Sequence, residues 1–126
     1  MTKVVVDTSV MIDLWRGSAS AADYVSSIAG DLLLHPVVEA ELLSGARDSR
    51  HLSEITSRLE PLRRAAIRNT DFVLSLELLR GSKLSGGTSW PDCLIAATCV
   101  RLGCQLATLN DKHFRSIRGL RVRRPY

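Results

Sequence analysis

Short apolar runs alternate with segments of helical periodicity along this chain. Apolar or β-branched runs without polar interruptions are typical of strands that are buried on both faces of a parallel sheet. Such runs predict strands at residues 3–6, 31–35 and 104–108, with a short edge strand at 120–122. Apolar side chains at helical spacing predict helices at residues 18–29, 36–43, 70–81 and 91–102. The alternation predicts an α/β fold with a central, mainly parallel sheet flanked by helices in a three-layer-like arrangement.

Three regions carry weaker signals. Leu59 and Leu62 lie in a basic stretch without periodicity, which we interpret as irregular structure. The helix that begins near Asn69 ends at Gly81, and four apolar side chains share one of its faces: Phe72, Val73, Leu76 and Leu79. Residues 82–89 contain two adjacent glycines and no periodicity, which predicts the longest loop.

The composition indicates one compact domain. The chain has 126 residues, of which 45% are apolar, and a single core of this size needs neither disulfides nor a structural metal. Disordered and fibrous classes are excluded, and we expect one domain over residues 1–126. No targeting signal or run long enough to span a membrane is visible, so we expect a cytoplasmic protein. The cysteines lack metal-ligand spacing and are expected to be reduced and buried: Cys93, Cys99 and Cys104.

Basic charge is concentrated at the end of the chain. The formal net charge is +4, from 17 basic and 13 acidic residues. Residues 1–111 hold every acidic residue, whereas residues 112–126 hold six basic residues and no acid. The chain is therefore a slightly acidic body with a basic terminal segment, which is a candidate for contacts with phosphates.

Four acids lie at or near the ends of predicted elements, where ligands bind in open parallel sheets. Asp7 ends the first strand, and Asp111 follows the strand at residues 104–108. Asp92 opens a helix, and Glu41 flanks an apolar helical stripe. Each of three acids also has a structural interpretation: Asp7 as a helix N-cap, Asp92 in a capping box and Glu41 as a solvated side chain.

A cluster of these acids would need a cation. Two carboxylates ~5 Å apart repel each other by about 3 kcal/mol at an effective dielectric constant of about 20. Proton uptake or a divalent metal ion has to offset this repulsion. Oxygen ligands without suitably spaced His or Cys favour Mg²⁺ or Mn²⁺ over zinc.

Four segments, in this order, resemble those of the PIN-domain ribonucleases, and specifically the VapC-type toxins of bacterial toxin–antitoxin pairs. They are VVVDTSV at residues 4–10, VVEAELLSGA at 37–46, PDCLIAA at 91–97 and LATLNDKHF at 106–114, which GLRV follows at 119–122. Each segment is short, but together they extend over essentially the whole chain. The resemblance implies a single PIN domain in the bacterial cytoplasm.

The resemblance also carries over individual site residues. The three acids that the family uses around its metal are matched by Asp7, Glu41 and Asp92. The fourth position, two residues after Thr108, holds Asn110, and Asp111 comes one residue later, so either of them can complete the site. The small hydroxyl residues that would support either the first aspartate or a bound water are Thr8, Ser9 and Thr108.

The activity implied by the resemblance is Mg²⁺- or Mn²⁺-dependent endonucleolytic cleavage of RNA. Asp7 and Asp92 would bind the metal directly. Glu41 would hold a water molecule or accept its proton, with Asp111 or Asn110 completing the catalytic set.

Partners follow from the same resemblance. Affinity for RNA must come from basic groups around an acidic pocket, and Lys112 and Arg115 flank the last motif. Trp90, close to Asp92, either stacks on a base or packs in its loop. A cognate antitoxin that blocks the cleft and a homodimer are also implied; apolar stretches at residues 10–15 and 23–28 either form these contacts or pack in the core.

Two other interpretations stay open. A receiver-like, Mg-binding regulatory domain has a similar length, but it needs an acidic pair after the first strand, where only Asp7 is present. A PIN fold without catalytic activity would act as a binding module, and Asn110 at the fourth position keeps that alternative. No Ser-His-Asp or Cys-His arrangement is required, and three histidines are expected at the surface or in packing roles: His35, His51 and His113.

Overall fold

A four-stranded parallel sheet forms the centre of the protein. The computed structural model describes residues 2–83 and 87–126. The strands are β1 (Val4–Val6), β2 (Leu32–Leu33), β3 (Gln105–Ala107) and β4 (Arg121–Arg123). The helices are α1 (Thr8–Trp15), α2 (Ala19–Ser27), α3 (Pro36–Ser44), α4 (Ser49–Leu59), α5 (Asn69–Lys83) and α6 (Trp90–Leu102), and a 3-10 turn spans Asp111–His113.

The strand order β2-β1-β3-β4 places β1 inside the sheet and β4 at an edge. Val5 of β1 pairs in register with Leu33 of β2 and with Leu106 of β3. The flanking side chains Val4 and Val6 are buried as well. Because successive strand residues point to opposite faces, helices must cover both faces of the sheet. The predicted α/β fold with its parallel sheet and edge strand is confirmed.

Most helix ends lie within two residues of the positions that the sequence predicts. The Ser18 hydroxyl caps α2 by accepting from the N–H of Ala21 at 3.2 Å. Pro36 is the first residue of α3, where its missing N–H costs nothing. Gly103 ends α6 with φ +65°, a left-handed conformation that glycine adopts without a Cβ clash.

The interpretation of the basic stretch before Leu62 as irregular is wrong, because α4 occupies it. The Asp48 carboxylate caps this helix by accepting from the N–H of His51 at 2.7 Å. Ile55 and Leu59 are buried, whereas most of the other side chains of α4 are exposed. Leu52, Ile55 and Leu59 recur at helical spacing in this otherwise polar segment, so its periodicity was present in the sequence and was overlooked.

Helix α5 extends two residues beyond Gly81 and turns its apolar face outward. Phe72, Val73 and Leu76 are 41%, 60% and 47% exposed, while Asp71 on the opposite side is buried. The Asp71 carboxylate on the inward side of α5 forms an ion pair with an arginine of α6, and this ion pair favours the observed orientation of the helix. A charged residue therefore decides which side of α5 faces the domain.

Three further expectations concern the loop, the cysteines and membrane spans. Residues 84–86 of the predicted loop lie outside the described residues, and residues 82 and 83 belong to α5. The three cysteines are buried and free, as expected: Cys93, Cys99 and Cys104. In the described ranges, no helix is both long and apolar enough to cross a bilayer.

Candidate active site

Asp7 directly follows β1, and the fold gives its carboxylate two partners. Oδ1 accepts a hydrogen bond from the backbone N–H of Thr8 at 2.9 Å, so Asp7 is the N-cap residue of α1. Oδ2 accepts from the hydroxyl of Thr108 at 2.7 Å, just after the neighbouring strand β3. Because each carboxylate oxygen has further lone pairs, the capping role of Asp7 is compatible with metal binding.

Two hydroxyl groups join the ends of β1 and β3 around Asp7. The Oγ1 atom of Thr108 accepts from the N–H of Asn110 at 3.0 Å while it donates to Asp7. The Oγ atom of Ser9 accepts from the N–H of Leu109 at 3.2 Å. Thr108 thus contacts Asp7 directly, whereas the Ser9 side chain contacts the backbone of Leu109.

Glu41 reaches the same region from α3. Its Oε1 accepts from the hydroxyl of Thr8 at 3.2 Å. Partial burial raises the pKa of Glu41 above its ordinary value, although the hydrogen bond from Thr8 opposes the shift. The negative charges of Asp7 and Asp92 add to the rise of this pKa. Glu39, two residues earlier, instead forms an ion pair with a surface arginine.

Asp92 is the third residue of α6, and the charge of Asp7 also affects its pKa. Burial raises the pKa of Asp92, and the negative charge of Asp7 raises it further. A hydrogen bond donated by the Ser89 hydroxyl, together with the nearby His113, opposes part of this rise in pKa. Ser89 is the N-cap residue of α6, but its side chain bonds to no helix amide, so the predicted capping box does not form.

Asp7, Glu41 and Asp92 form one electrostatic group, which we call the acid triad. A group in which one carboxylate raises the pKa of the others lacks positive charge, and this is the chemistry of a cation site. Within the part of the chain that the structure describes, no three His, Cys, Asp or Glu side chains are arranged closely enough to hold a metal ion. An ion such as Mg²⁺ takes one or two protein carboxylates and keeps several waters, so it does not require three protein ligands.

Asp111 lies outside the acid triad, and two arginines neutralise its negative charge. It begins the 3-10 turn after β3, is 4% exposed and binds the guanidinium groups of Arg115 and Arg124. Burial raises the pKa of Asp111, but the two arginines outweigh this effect and hold the pKa below its ordinary value. Its charge is not among the causes of the raised pKa values in the triad. These contacts do not favour Asp111 as the fourth site residue, and the exposed Asn110 is the other candidate.

Two grooves meet at Glu41. One, of about 580 Å³, lies between α3 and the start of α6, where Trp90 and Pro91 form a wall. The indole N–H of Trp90 donates to Ser75 at 3.0 Å, and its ring stacks on Phe72 with 6.5 Å between centroids. The second groove, of about 590 Å³, lies among α1, α3 and α4. Its cationic side chains are Arg16, Arg47 and Arg58.

A buried polar network, missed from the sequence, supports the helices that carry Glu41 and Asp92. Nδ1 of His35 accepts from the N–H of Val37, so its Nε2 donates to the Thr98 hydroxyl at 3.0 Å. The Thr98 hydroxyl lies 3.2 Å from Asp71, which binds Arg101 through two hydrogen bonds of 2.7 and 3.0 Å. Residues so far apart in the chain share no periodic signal.

The fold and the site define an α/β domain that carries an acid triad beside the carboxyl end of its first strand. The chain belongs to the PIN domain family, whose sequence pattern matches residues 4–120. It is 30% identical over 129 residues to Ribonuclease VapC1 from Rickettsia felis, a match that covers 94% of this chain and 93% of that protein. The family expected from the sequence motifs is thus confirmed.

Solved structures share the fold. A toxin–antitoxin complex from Klebsiella pneumoniae matches with a TM-score of 0.82 and 24% identity, over 98% of each chain. FitAcB from Neisseria gonorrhoeae matches with a TM-score of 0.81 and 22% identity, over 97% of each chain. VapBC2 from Rickettsia felis, bound to a DNA fragment from its promoter, matches with a TM-score of 0.81 and 20% identity, over 95% of this chain and 96% of that chain.

Proposed function

We propose that this protein is a divalent-metal-dependent endoribonuclease and the toxin of a toxin–antitoxin pair. The observation that carries the proposal is the acid triad, in which Asp7 raises the pKa of both Glu41 and Asp92. A relative that is 30% identical along nearly the whole chain is named a ribonuclease, which supports RNA as the substrate. Membership of the PIN domain family disfavours the receiver-like alternative.

Asp7 and Asp92 are the proposed ligands of Mg²⁺ or Mn²⁺. Such an ion, when bound, activates a water nucleophile and offsets the negative charge that develops on phosphate oxygens. The hydrogen bonds from Thr8 and Thr108 hold the Asp7 carboxylate in one orientation. A carboxylate that is already oriented loses little conformational entropy on binding an ion, so these two donors favour the metal site.

Glu41 is the proposed proton acceptor. Its raised pKa makes it a stronger base than an ordinary glutamate, which suits removal of a proton from the attacking water. The hydroxyl of Thr8 holds Oε1, which leaves Oε2 available to accept the proton. The exposed position of Glu41, where two grooves meet, gives RNA access to this carboxylate.

RNA binding has to overcome the repulsion between the acid triad and the phosphate backbone. Lys112 and Arg115 are exposed on and beside the turn that follows β3, so both are available to phosphates. Trp90 is 40% exposed and forms a wall of the groove at Glu41, a position from which its ring can stack on an unpaired base.

An antitoxin and a second copy of the chain are the proposed protein partners. Support for the antitoxin comes from the solved toxin–antitoxin complexes that share this fold. Of the predicted contact stretches, Val10 and Met11 pack in the core, whereas Ile12 and Trp15 line an open groove. The exposed apolar face of α5 adds a surface that we had not predicted.

The direct test is RNA cleavage by the full chain and its Asp92→Asn variant, with Mg²⁺ and with a chelator. We expect Mg²⁺-dependent endonucleolytic cleavage that falls roughly 100-fold or more in the variant, a loss of about 3 kcal/mol of transition-state stabilisation. Asp23→Asn, the same chemical change at an exposed position of α2, is the matched control. Undiminished cleavage by folded Asp92→Asn would contradict the metal-site assignment. If the wild-type chain binds RNA and never cuts it, the inactive binding module is the better description.

A further inference from the structure

Two arginines that extend into solvent are anchored on one buried carboxylate. The side chain of Asp111 is 5% exposed, whereas those of Arg115 and Arg124 are 68% and 52% exposed. Nη2 of Arg115 donates to Oδ2 of Asp111, and Nη1 of Arg124 donates to Oδ1 at 3.3 Å. One carboxylate oxygen thus serves each guanidinium, and the three side chains together keep one net positive charge.

Arg124 is held by backbone groups as well. Its Nη1 also donates to the carbonyl of Leu109 at 2.7 Å, and its Nε donates to the carbonyl of Tyr126 at 3.2 Å. The hydroxyl of Tyr126 donates in turn to Asp13 of α1 at 2.9 Å. Nη2 of Arg124 makes no hydrogen bond to any residue that the structure describes, so its two N–H groups are available to a ligand.

These arginines lie next to the support of the acid triad. The carbonyl that Arg124 contacts belongs to Leu109, which directly follows Thr108. The hydroxyl of Thr108 holds Asp7. An RNA strand with one phosphate at the triad would then have a neighbouring phosphate close to this region.

We propose that Arg115 and Arg124 bind an RNA phosphate adjacent to the one that is cleaved, and that Asp111 positions them for this contact. The inference rests on the proposed ribonuclease function and deepens it. A guanidinium group matches phosphate oxygens with paired N–H donors, and an arginine that is already held loses less side-chain entropy on binding. Asp111 is then a positioning residue and no part of the metal shell.

Removing the charge of Asp111 distinguishes a positioning role from simple electrostatic repulsion, because the two predict opposite changes in RNA binding. Asp111→Asn removes a negative charge close to the RNA, so simple attraction predicts tighter binding. Loss of the anchor predicts the opposite, because the two guanidinium groups would no longer be held side by side. We expect the KM for RNA to rise at least about threefold in Asp111→Asn, with kcat within about twofold of wild type.

The experiment compares Asp111→Asn, Arg115→Gln and Arg124→Gln with Arg118→Gln in the full chain. Arg118 is exposed in the same basic segment and forms no ion pair within the described residues, so its variant is matched in charge change. We would measure kcat and KM on a labelled single-stranded RNA of mixed sequence. RNA binding would be followed by anisotropy over a salt series in the Asp92→Asn background, which keeps the RNA intact. Thermal melting identifies any variant that fails to fold.

Each arginine variant is expected to lower the slope of log K against log salt by about 0.7, the value for one lost single-strand phosphate contact. Arg118→Gln should change the slope by less than half of that. A lower KM or an unchanged slope in Asp111→Asn would overturn the inference, as would a 100-fold loss of kcat, which would place Asp111 in the catalytic set. Because binding is measured without cleavage, a wild-type chain that binds RNA but never cuts it would refute the ribonuclease and still test the arginine pair. A wild-type chain that does not bind RNA would refute both.

Discussion

The hydroxyl of Thr108 donates a 2.7 Å hydrogen bond to the carboxylate of Asp7, although 101 positions separate the two residues. They meet because β1 and β3 are parallel neighbours and each residue directly follows its strand. The N–H of Asp7 also donates to the carbonyl of Ala107 at 2.9 Å. The first acid of the site is thus oriented by the ends of two strands.

Thr108→Val should weaken both the site and the fold. Valine keeps the shape of threonine but leaves a carboxylate oxygen of Asp7 and the N–H of Asn110 without their partner. We expect a loss of about 2 kcal/mol in the free energy of unfolding and of roughly tenfold in RNA cleavage. Chemical denaturation and a cleavage assay measure the two effects.

The control for this change is Thr56→Val in α4. The hydroxyl of Thr56 is exposed and bonds only to the carbonyl of Leu52 in its own helix, so we expect little change in stability or cleavage. Thr108→Ser, which keeps a hydroxyl, should recover most of the activity. Equal activity in Thr108→Val and wild type would show that this bond does not matter for the chemistry.

Removal of the Asp7 charge should lower the pKa of two other carboxyl groups. Asp7 contributes to the raised pKa of Glu41 and of Asp92, so Asp7→Asn should move both pKa values towards their ordinary range. Titration of side-chain carboxyl carbon shifts in the metal-free protein measures them. Addition of Mg²⁺ to the wild-type chain should lower both pKa values, because a cation favours the ionised forms.

The exposed Asp23 provides the matched change, and Asp23→Asn should leave both titrations as they are. If Asp7→Asn also leaves them unchanged, Asp7 has no electrostatic contact with the other two acids. The acid triad would then not exist as a unit, and the metal site would need another location.

His35 should make the fold sensitive to acid. Burial lowers its pKa in the folded state to about 4, against the opposing charge of Asp71, whereas the unfolded chain binds the proton at about 6.5. The stability that neutral His35 provides is therefore complete above about pH 6.5 and is lost as the pH falls towards 4. The loss amounts to about 3 kcal/mol in the free energy of unfolding, which urea denaturation at a series of pH values measures.

A comparison with His35→Asn isolates this effect. Asparagine can still accept from the N–H of Val37 at the start of α3, but it does not titrate. The raised pKa values of Glu41 and Asp92 act in the opposite direction, favouring the folded state as the pH falls, and they are common to both proteins. A wild-type protein that loses no more stability in acid than His35→Asn would contradict the prediction.

Arg101→Met should destabilise the protein strongly because it leaves Asp71 buried without its partner. The Asp71 side chain is 1% exposed and the Arg101 side chain 21%. We expect a loss of about 3 kcal/mol in the free energy of unfolding, which adding Asp71→Asn should partly restore. In the exposed pair of Arg50 and Glu54, Glu54→Gln should cost less than about 0.5 kcal/mol. Similar losses in the two experiments would mean that burial does not govern the ion pair.

The strands and most helices could be predicted because their signals are local. Val4–Val6 is a run of three valines, and the structure buries all of them. The helix α4 was missed although Leu52, Ile55 and Leu59 recur at helical spacing, because apolar residues are few in this mostly polar segment. For α5 the positions that share a face were visible, but an ion pair turned that face outward.

The candidate site, too, could be predicted only in part from the sequence. Asp7, Glu41 and Asp92 could be proposed from strand and helix ends together with the family resemblance. Their electrostatic contact depends on how α1, α3 and α6 pack. The environment of Asp111 also depends on the tertiary structure. Its partner Arg124 follows β4 and cannot be inferred from the motif around Asp111.

The sequence by itself determined the order of the strands and of most helices, the family and the identity of the candidate acids, because periodicity, caps and motifs are written in neighbouring positions. The tertiary structure decided which of those acids act on one another and which are neutralised. Hydrogen bonds and Coulomb forces act over a few ångströms in space, and only the folded sheet brings Thr108 to Asp7 and two arginines to Asp111.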